Sequence, residues 1–253
     1  MGGNLVESNP YVRNGSWDEL ELLFEKFQKN RDSEIRIPKK IHQIWLGEMP
    51  EKHKKLIPDI IKNHPDWEYK LWSKEDIENI PMINKNLFDS LTNLGAKSDI
   101  ARYEILHNEG GIYLDSDFFM VGNFEMLLSN DFFSGVGHSN EPMLFNGLIG
   151  CTKGHPLMHK ILIFLRDRIS GGDLSIYEIM STTGPYFFSE MFFDYIKETK
   201  NEKIVVLPTP YFYSLPATER FNFISGIDGK ENFIKSFIKD ETICIHLWFT
   251  SWQ

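Results

Sequence analysis

Short apolar strand patterns alternate with helical patterns along most of the chain, and no segment repeats. Six segments read as buried or alternating strands: 41–46, 67–72, 112–114, 148–151, 204–207 and 243–248, with a further strand near 132–136. Parallel strands need a crossover of a dozen or more residues, and helical segments of that kind lie between these strands. The alternation predicts one three-layer α/β domain with a mostly parallel central sheet.

Helical patterns fill the intervals between these strands. We expect helices at 51–63, 74–80, 85–94, 98–110, 155–169, 184–197 and 230–239. A further helix begins at Ser16, which forms a capping-box pattern with Glu19 and precedes apolar residues at helical spacing. We divide the chain into an N-terminal leader with this helix, residues 1–36, and a main domain, residues 37–253.

Charge and cysteine content exclude several classes of protein. The chain carries 27 basic and 36 acidic residues, a net charge of −9 without a basic cluster, which argues against nucleic acid as a partner. Cys151 and Cys244 lie in apolar segments and are expected to be buried free thiols. The first 30 residues lack an apolar signal-peptide core, and no run reaches the roughly 18–20 apolar residues of a spanning helix. We expect a cytoplasmic protein, or one that contacts the inner face of the cell membrane.

The segment Gly110-Gly111-Ile112-Tyr113-Leu114 leads directly into Asp115-Ser116-Asp117. In an extended strand the two carboxylates would lie on one side, about 6.5–7 Å apart, and they converge if the chain leaves the strand there. Two carboxylates can hold a divalent cation and leave coordination sites for phosphate oxygens. An acidic loop that is merely solvated is the alternative, but the preceding glycines and the apolar strand favour a metal site.

Other functions use similar residues. An aspartyl phosphohydrolase would use Asp115 as the nucleophile, yet Phe118 and Phe119 follow where a small β-branched residue is usual, and no adjacent Asp-Asp pair comes later. A glycosidase needs two carboxylates that flank a bond, for which one strand end is a poor place. A non-enzymatic sugar-binding module with exposed aromatic residues is the third alternative.

Two more segments combine polar and charged side chains. Asp99 and Arg102 share one face of the predicted helix in its first turn, either as a structural ion pair or as groups that bind a sugar hydroxyl and a phosphate. His246 lies between apolar residues in the last predicted strand, either by chance or as a metal ligand.

These motifs, taken in order, resemble glycosyltransferase family 32. The resemblance lies in four segments: 37–47, 66–72, 98–117 with the Asp115-x-Asp117 motif, and 246–252 with His246-x-Trp248-x-x-Ser251-Trp252. It implies a GT-A fold, a Rossmann-like domain. It also implies a metal-dependent, retaining transfer of a hexose from a UDP- or GDP-sugar to a glycan or lipid-linked acceptor in surface polysaccharide synthesis.

The resemblance also implies a set of site residues, with Mn²⁺ or Mg²⁺ as the cofactor. The metal ligands would be Asp117, Asp115 and His246. The catalytic residues would be Asp117, Asp115 and Arg102. The donor-binding residues would be Trp45, Asp99, Arg102, Asp115, Asn146, Ser251 and Trp252. We expect residues 246–252 to close over bound metal and diphosphate, so that the fold survives removal of residues 247–253; a buried edge strand is the alternative.

Overall fold

A six-stranded sheet forms the centre of the computed structural model, which describes residues 16–29, 33–138, 142–169, 171–199, 201 and 203–249. Its strands are β1 (Lys40–Ile44), β2 (Glu68–Trp72), β3 (Gly111–Leu114), β5 (Phe132–His138), β6 (Pro142–Cys151) and β7 (Ile204–Leu207). They lie in the order β2-β1-β3-β6-β5-β7. Only β6 runs antiparallel to its neighbours, while the other pairings are parallel. The predicted α/β class with a mostly parallel sheet is confirmed.

A second sheet has two strands, β4 (Phe118–Met120) and β8 (Cys244–His246). The strands are antiparallel, and Phe118 lies opposite His246. The final strand is therefore shorter than the predicted 243–248, and it pairs outside the central sheet. β4 begins directly after Asp117, so this small sheet brings the C-terminal segment to the Asp-x-Asp motif.

Helices cover both faces of the central sheet. They are α1 (Ser16–Lys29), α2 (Glu51–Lys54), α3 (Ile57–Asn63), α4 (Lys74–Glu78), α5 (Lys85–Ser90), α6 (Leu94–Glu109), α7 (Pro156–Arg168), α8 (Ile176–Thr182), α9 (Pro185–Glu198) and α10 (Glu231–Lys235). The predicted helix 51–63 is divided into α2 and α3, and the predicted helix 230–239 is shortened to α10. α8 was not predicted.

The start of α6 differs from the prediction. The helix begins at Leu94 rather than Ser98, because the Asn93 side chain accepts hydrogen bonds from the amides of Gly95 and Ala96. Asp99 therefore lies beyond the first turn, which corrects the position assigned to Asp99 and Arg102 above.

Alternate strand residues pack into two separate apolar clusters. In β3, Tyr113 belongs to one cluster while Ile112 and Leu114 belong to the other. Successive side chains of a strand point to opposite faces, so both faces of the sheet are buried, as is usual for parallel sheets. In α1, Leu20 joins the first cluster and Phe27 the second. The division into residues 1–36 and 37–253 stays a prediction.

A third apolar cluster lies under the C-terminal segment. Ile234 of α10 is fully buried there with Leu215, Phe223 and Leu247. This helix packs on the protein through Ile234, so its apolar face is largely used internally. Cys151 and Cys244 are buried free thiols, as predicted. None of the helices in the described part of the chain is both long and apolar enough to span a membrane.

Candidate functional site

A cavity of about 650 Å³ opens at the carboxyl end of β3. Seven of the residues predicted to form a site line it: Trp45, Asp99, Arg102, Asp115, Asp117, Asn146 and His246. Ser251 and Trp252, the remaining two, lie outside the described residues. The edge at the carboxyl ends of strands is where open α/β sheets bind ligands.

Asp115, Asp117 and His246 form a cluster within this cavity. Each offers one ligand atom, and the three atoms all lie within 4.8 Å of one another. Nε2 of His246 lies 3.1 Å from Oδ1 of Asp117. The other ring nitrogen of His246, Nδ1, is buried and has no hydrogen-bond partner among the described residues. Three ligand atoms at this spacing can bind one metal ion.

The backbone holds the two aspartates in place. The amide of Asp115 donates a 2.8 Å hydrogen bond to the carbonyl of Gly147 on β6. The amide of Leu247 donates to the carbonyl of Asp117, and the amide of Phe249 donates to its Oδ2 at 2.7 Å. The C-terminal segment therefore orients the Asp117 carboxylate as well as supplying His246.

The charges of Asp117 and His246 stabilise each other. Burial by itself would raise the pKa of Asp117, but the adjacent His246 imidazolium lowers the pKa of this carboxyl below its usual range. Burial likewise opposes charge on His246, yet the Asp117 carboxylate raises the pKa of the imidazole. The donor set of two carboxylates and one imidazole fits a first-row divalent ion such as Mn²⁺, whereas Mg²⁺ prefers oxygen ligands.

Arg102 is buried in a network of hydrogen bonds and ion pairs. Its guanidinium lies 3.0 Å from Oδ1 of Asp99 and 3.3 Å from Oδ1 of Asp115, and it donates to the carbonyl of Asn146 at 2.8 Å. The guanidinium also lies 4.3 Å from the centre of the Tyr113 ring, and the Tyr113 hydroxyl donates to Asp115. Arg102 therefore fixes the Asp115 carboxylate, and its contact with a phosphate stays a prediction.

Asp99 and Asn146 belong to the same network. The Asn146 amide donates to Oδ1 of Asp99, and the hydroxyl of Thr183 donates to Oδ2, both at 2.8 Å. Burial raises the pKa of Asp99, against the lowering effect of Arg102. The ion pair between Asp99 and Arg102, one of the two alternatives from the sequence, is present. The donor-binding roles of Asp99 and Asn146 stay predictions.

Among the lining residues that were not predicted as metal ligands or donor-binding groups are Arg220, Tyr213 and Gly147. The exposed Arg220 makes no hydrogen bond or ion pair with any described residue, and its guanidinium lies 4.7 Å from the centre of the Phe221 ring. The Tyr213 hydroxyl is buried without a partner in the described part of the chain. A Cβ atom on Gly147 would lie 2.6 Å from Oδ2 of Asp115.

These three residues differ in how far the local sequence indicates that they line a site. Tyr213 lies in a Pro-bounded aromatic segment, 208–216, which indicates a loop suited to acceptor or membrane contacts. Arg220 lies in a 3-10 helix, Ala217–Phe223, that has no sequence periodicity to reveal it. The role of Gly147 depends on the register between β3 and β6, in which Leu114 pairs with Leu148.

The C-terminal segment up to Phe249 is buried, which corrects the expectation of a lid that is ordered only over ligand. Leu247 is fully buried, and Phe249 is 5% exposed. The Phe249 ring also contacts the ring of His53, and the His53 imidazole binds the Ser116 hydroxyl between the two aspartates. The alternative of a buried strand therefore applies to β8 at 244–246, and residues 247–249 continue it as a packed segment without strand pairing.

Comparisons with known proteins concern the fold and the segment that contains the Asp-x-Asp motif. A family model described as a glycosyltransferase sugar-binding region containing a DXD motif matches residues 50–134, which include Asp115 and Asp117. Inositol phosphoceramide mannosyltransferase 3 of Schizosaccharomyces pombe is 32% identical over 158 residues, or 60% of this chain and 44% of that protein. Inositol phosphoceramide mannosyltransferase 1 of the same organism is 29% identical over 214 residues, or 80% and 65% of the two chains.

The chain thus spans less than two thirds of the length of either relative. Among solved structures, the PaToxG glycosyltransferase has a TM-score of 0.51 and 21% sequence identity, with 72% of this chain and 79% of that chain covered. At that identity the likeness concerns the fold. The chain therefore has a GT-A fold and carries the DXD-motif sugar-binding region of a glycosyltransferase family, which confirms its resemblance to glycosyltransferase family 32.

Proposed function

We propose that the protein is a metal-dependent, retaining glycosyltransferase that moves a hexose from a nucleoside diphosphate sugar to a glycan or lipid-linked acceptor. The observation that carries the proposal is the cluster of Asp115, Asp117 and His246 inside the cavity at the carboxyl end of β3. The cavity volume of about 650 Å³ lies within the usual range for small-molecule sites.

Asp115, Asp117 and His246 would hold Mn²⁺. A divalent ion at this position supplies positive charge beside the diphosphate, where negative charge develops as the bond to the sugar breaks. The residues themselves are already fixed, since Arg102 and Tyr113 hold Asp115 while the Phe249 amide holds Asp117. Preorganised groups of this kind cost little reorganisation during reaction.

Arg220 is the residue that we assign to the diphosphate. Among the described residues, the basic side chains that line the cavity are those of Arg102 and Arg220. The guanidinium of Arg102 is already paired with Asp99 and Asp115. Arg220 has its donors available, and a guanidinium binds phosphate oxygens in a bidentate manner.

Other residues of the cavity lining suit the nucleoside and the sugar. Trp45 lies half-buried at the end of β1, where its ring would stack on the base. Asp99 and Asn146 lie deeper and would bind hydroxyl groups of the hexose. Ser251 and Trp252 would add contacts to the diphosphate, as the motif resemblance implies.

The names of the relatives suggest which donor and acceptor to test first. Both proteins described above are named inositol phosphoceramide mannosyltransferases, which makes mannose the first hexose and a phosphorylated lipid head group the first acceptor. A glycan acceptor in surface polysaccharide synthesis is the alternative that the motif resemblance implies. The cytoplasmic location stays a prediction.

A panel of UDP- and GDP-hexoses tests the proposal. With Mn²⁺, one donor should be hydrolysed slowly without acceptor, and the released sugar should keep the anomeric configuration of the donor. Capture of a phosphate analogue at Asp115 would instead indicate the phosphohydrolase. Binding of a free glycan without nucleotide or metal, together with no turnover of any donor, would indicate the sugar-binding module.

A further inference from the structure

Large apolar side chains are exposed on the elements that border the cavity. Tyr177 and Ile224 are each 70% exposed and Phe221 is 65% exposed, the highest values for large hydrophobic residues in the described part of the chain. Leu94 and Ile176 are about half exposed. We call these five residues the apolar rim.

On one side the apolar rim is continuous with α8 and α6. Ile179 and Met180 of α8 line the cavity, and Ile176 and Tyr177 lie one helical turn before Met180. Leu94, the first residue of α6, lines the cavity itself while remaining exposed. The exposed side chains of these helices are therefore neighbours of the cavity lining.

On another side the apolar rim belongs to the 3-10 helix Ala217–Phe223 and the residue that follows it. Ala217 and Arg220 line the cavity, and the Arg220 guanidinium lies against the Phe221 ring. Ile224 comes three residues after Phe221, which is one turn of a 3-10 helix. Three separate elements thus present apolar side chains at the border of one cavity.

We propose that the apolar rim inserts into the surface of a lipid bilayer, so that the cavity receives its acceptor from that surface. This inference rests on the proposed function, since it supplies the acceptor of the same site. Exposed apolar patches are typical of surfaces that bind membranes or partners. A folded protein seated on all five side chains would close the cavity against the donor, whereas a bilayer offers lipid head groups one at a time. Tyrosine is also a preferred residue at the lipid–water interface.

The net charge of the protein indicates that apolar burial, rather than electrostatic attraction, would hold it on a bilayer. A chain with a net charge of −9 is repelled by anionic lipids, so the burial of apolar side chains has to provide the attraction. We therefore expect binding to vesicles of neutral phosphatidylcholine, and we expect this binding to persist at high ionic strength.

Flotation with phosphatidylcholine vesicles tests the inference on the full chain. The wild type should float with the vesicles at both low salt and 0.5 M salt, a concentration at which the Debye length falls to about 4 Å. The double variant Tyr177→Ser, Ile224→Ser should lower the partition coefficient by about tenfold or more. The matched control Ile163→Ser, Phe164→Ser removes two exposed apolar side chains of α7, which do not line the cavity, and should float like the wild type.

Several results would overturn the inference. These are a wild type that does not float, flotation that disappears at 0.5 M salt, or an equal loss in the rim and control variants. A wild-type dimer that the Tyr177→Ser, Ile224→Ser variant abolishes in sedimentation velocity would assign the apolar rim to a second copy of the chain instead. Hydrolysis of the donor in the absence of vesicles should be equal in wild type and rim variant, and it tests the proposed function separately.

Discussion

Nε2 of His246 lies 3.1 Å from Oδ1 of Asp117, although the two residues are far apart in the chain. The pairing of β4 with β8 produces this contact, because it places His246 opposite Phe118, the residue after Asp117. The amide of Phe249 then binds the other carboxylate oxygen of Asp117. The candidate metal site is therefore complete only when the C-terminal segment is packed against the Asp-x-Asp motif.

Gly147 is a position where one methyl group should damage the site without affecting the core. In Gly147→Ala, the new Cβ would lie 2.6 Å from Oδ2 of Asp115, so the carboxylate must turn away from the cluster. We expect Mn²⁺ affinity to fall by at least about tenfold, which is the effect typical of displaced metal-site partners. Titration calorimetry with Mn²⁺ measures it.

The matched control for this variant is Gly122→Ala. Its Cβ would meet only the Cα of Ile243 at 3.9 Å, an ordinary contact. Mn²⁺ affinity should be unchanged in this control. Equal affinities in the wild type and Gly147→Ala would show that Asp115 does not contribute to metal binding.

His246 should contribute to metal affinity without being indispensable. In His246→Ala, the two aspartates remain, so excess Mn²⁺ should partly restore activity. The control variant His159→Ala removes an exposed histidine of α7. It should leave the dependence of activity on Mn²⁺ unchanged. An unchanged Mn²⁺ requirement in His246→Ala would remove this residue from the ligand set.

The Asp-x-Asp motif was predictable from sequence because its constraints are local. Gly110 and Gly111 have φ values of 66° and 94°, which favour glycine, and the apolar strand that follows them ends at Asp115. The conformation of residues 110–117 can therefore be predicted from these residues alone. The same locality explains why the strand Ile204–Leu207 was predicted with its observed bounds.

The parts of the site that the sequence did not reveal depend on contacts between distant segments. The partners of Arg102 come from β6 and from the end of β3, and no pattern in residues 98–102 indicates that the guanidinium is fully paired. Burial of Leu247 and Phe249 depends on residues of the third cluster, such as Phe223. In sequence alone, apolar residues such as Leu247 and Phe249 are equally compatible with a lid, and the lid was the alternative that we expected.

Removal of residues 247–253 should now destabilise the protein before any ligand is added. The truncation exposes the third apolar cluster by deleting the buried Leu247 and Phe249, which should cost about 4 kcal/mol or more. Thermal melts without ligand should show a large drop in Tm. Removal of residues 250–253 alone is the control: it retains Leu247 and Phe249, and it should leave this Tm unchanged while weakening nucleotide binding through the loss of Ser251 and Trp252.

The truncation result has a clear contrary outcome. If the chain that lacks residues 247–253 melts at the wild-type temperature, the packing of Leu247 and Phe249 does not support the fold. In that case the original expectation of a ligand-dependent lid would be restored for the whole segment.

His155 should make the stability of the fold depend on pH. Burial lowers the pKa of this imidazole from 6.5 to about 4, so the unfolded chain takes up a proton that the folded chain does not. Stability should therefore fall as the pH drops from about 6.5 towards 4, with a contribution of about 2 kcal/mol lost at pH 5.

The variant His155→Asn isolates this effect. Asparagine can still cap α7, where Nδ1 of His155 now accepts a hydrogen bond from the amide of Leu157, but it does not titrate. Urea unfolding at pH 7.5 and pH 5 should show a smaller loss in the variant than in the wild type, although its stability at pH 7.5 is lower. Equal losses in both proteins would contradict the assignment, since the other buried histidines are common to both.

The central claim is that Asp115, Asp117 and His246 bind one divalent ion that holds a nucleoside diphosphate. Electron paramagnetic resonance measures free Mn²⁺ directly and therefore tests this claim without requiring the acceptor. With GDP or UDP present, the wild type should remove one equivalent of free Mn²⁺ from solution. Asp117→Asn keeps an oxygen for the Phe249 amide and so preserves the fold. This variant should leave the concentration of free Mn²⁺ at the level found with the nucleotide alone. Equal Mn²⁺ uptake by the wild type and a folded Asp117→Asn variant would contradict the account.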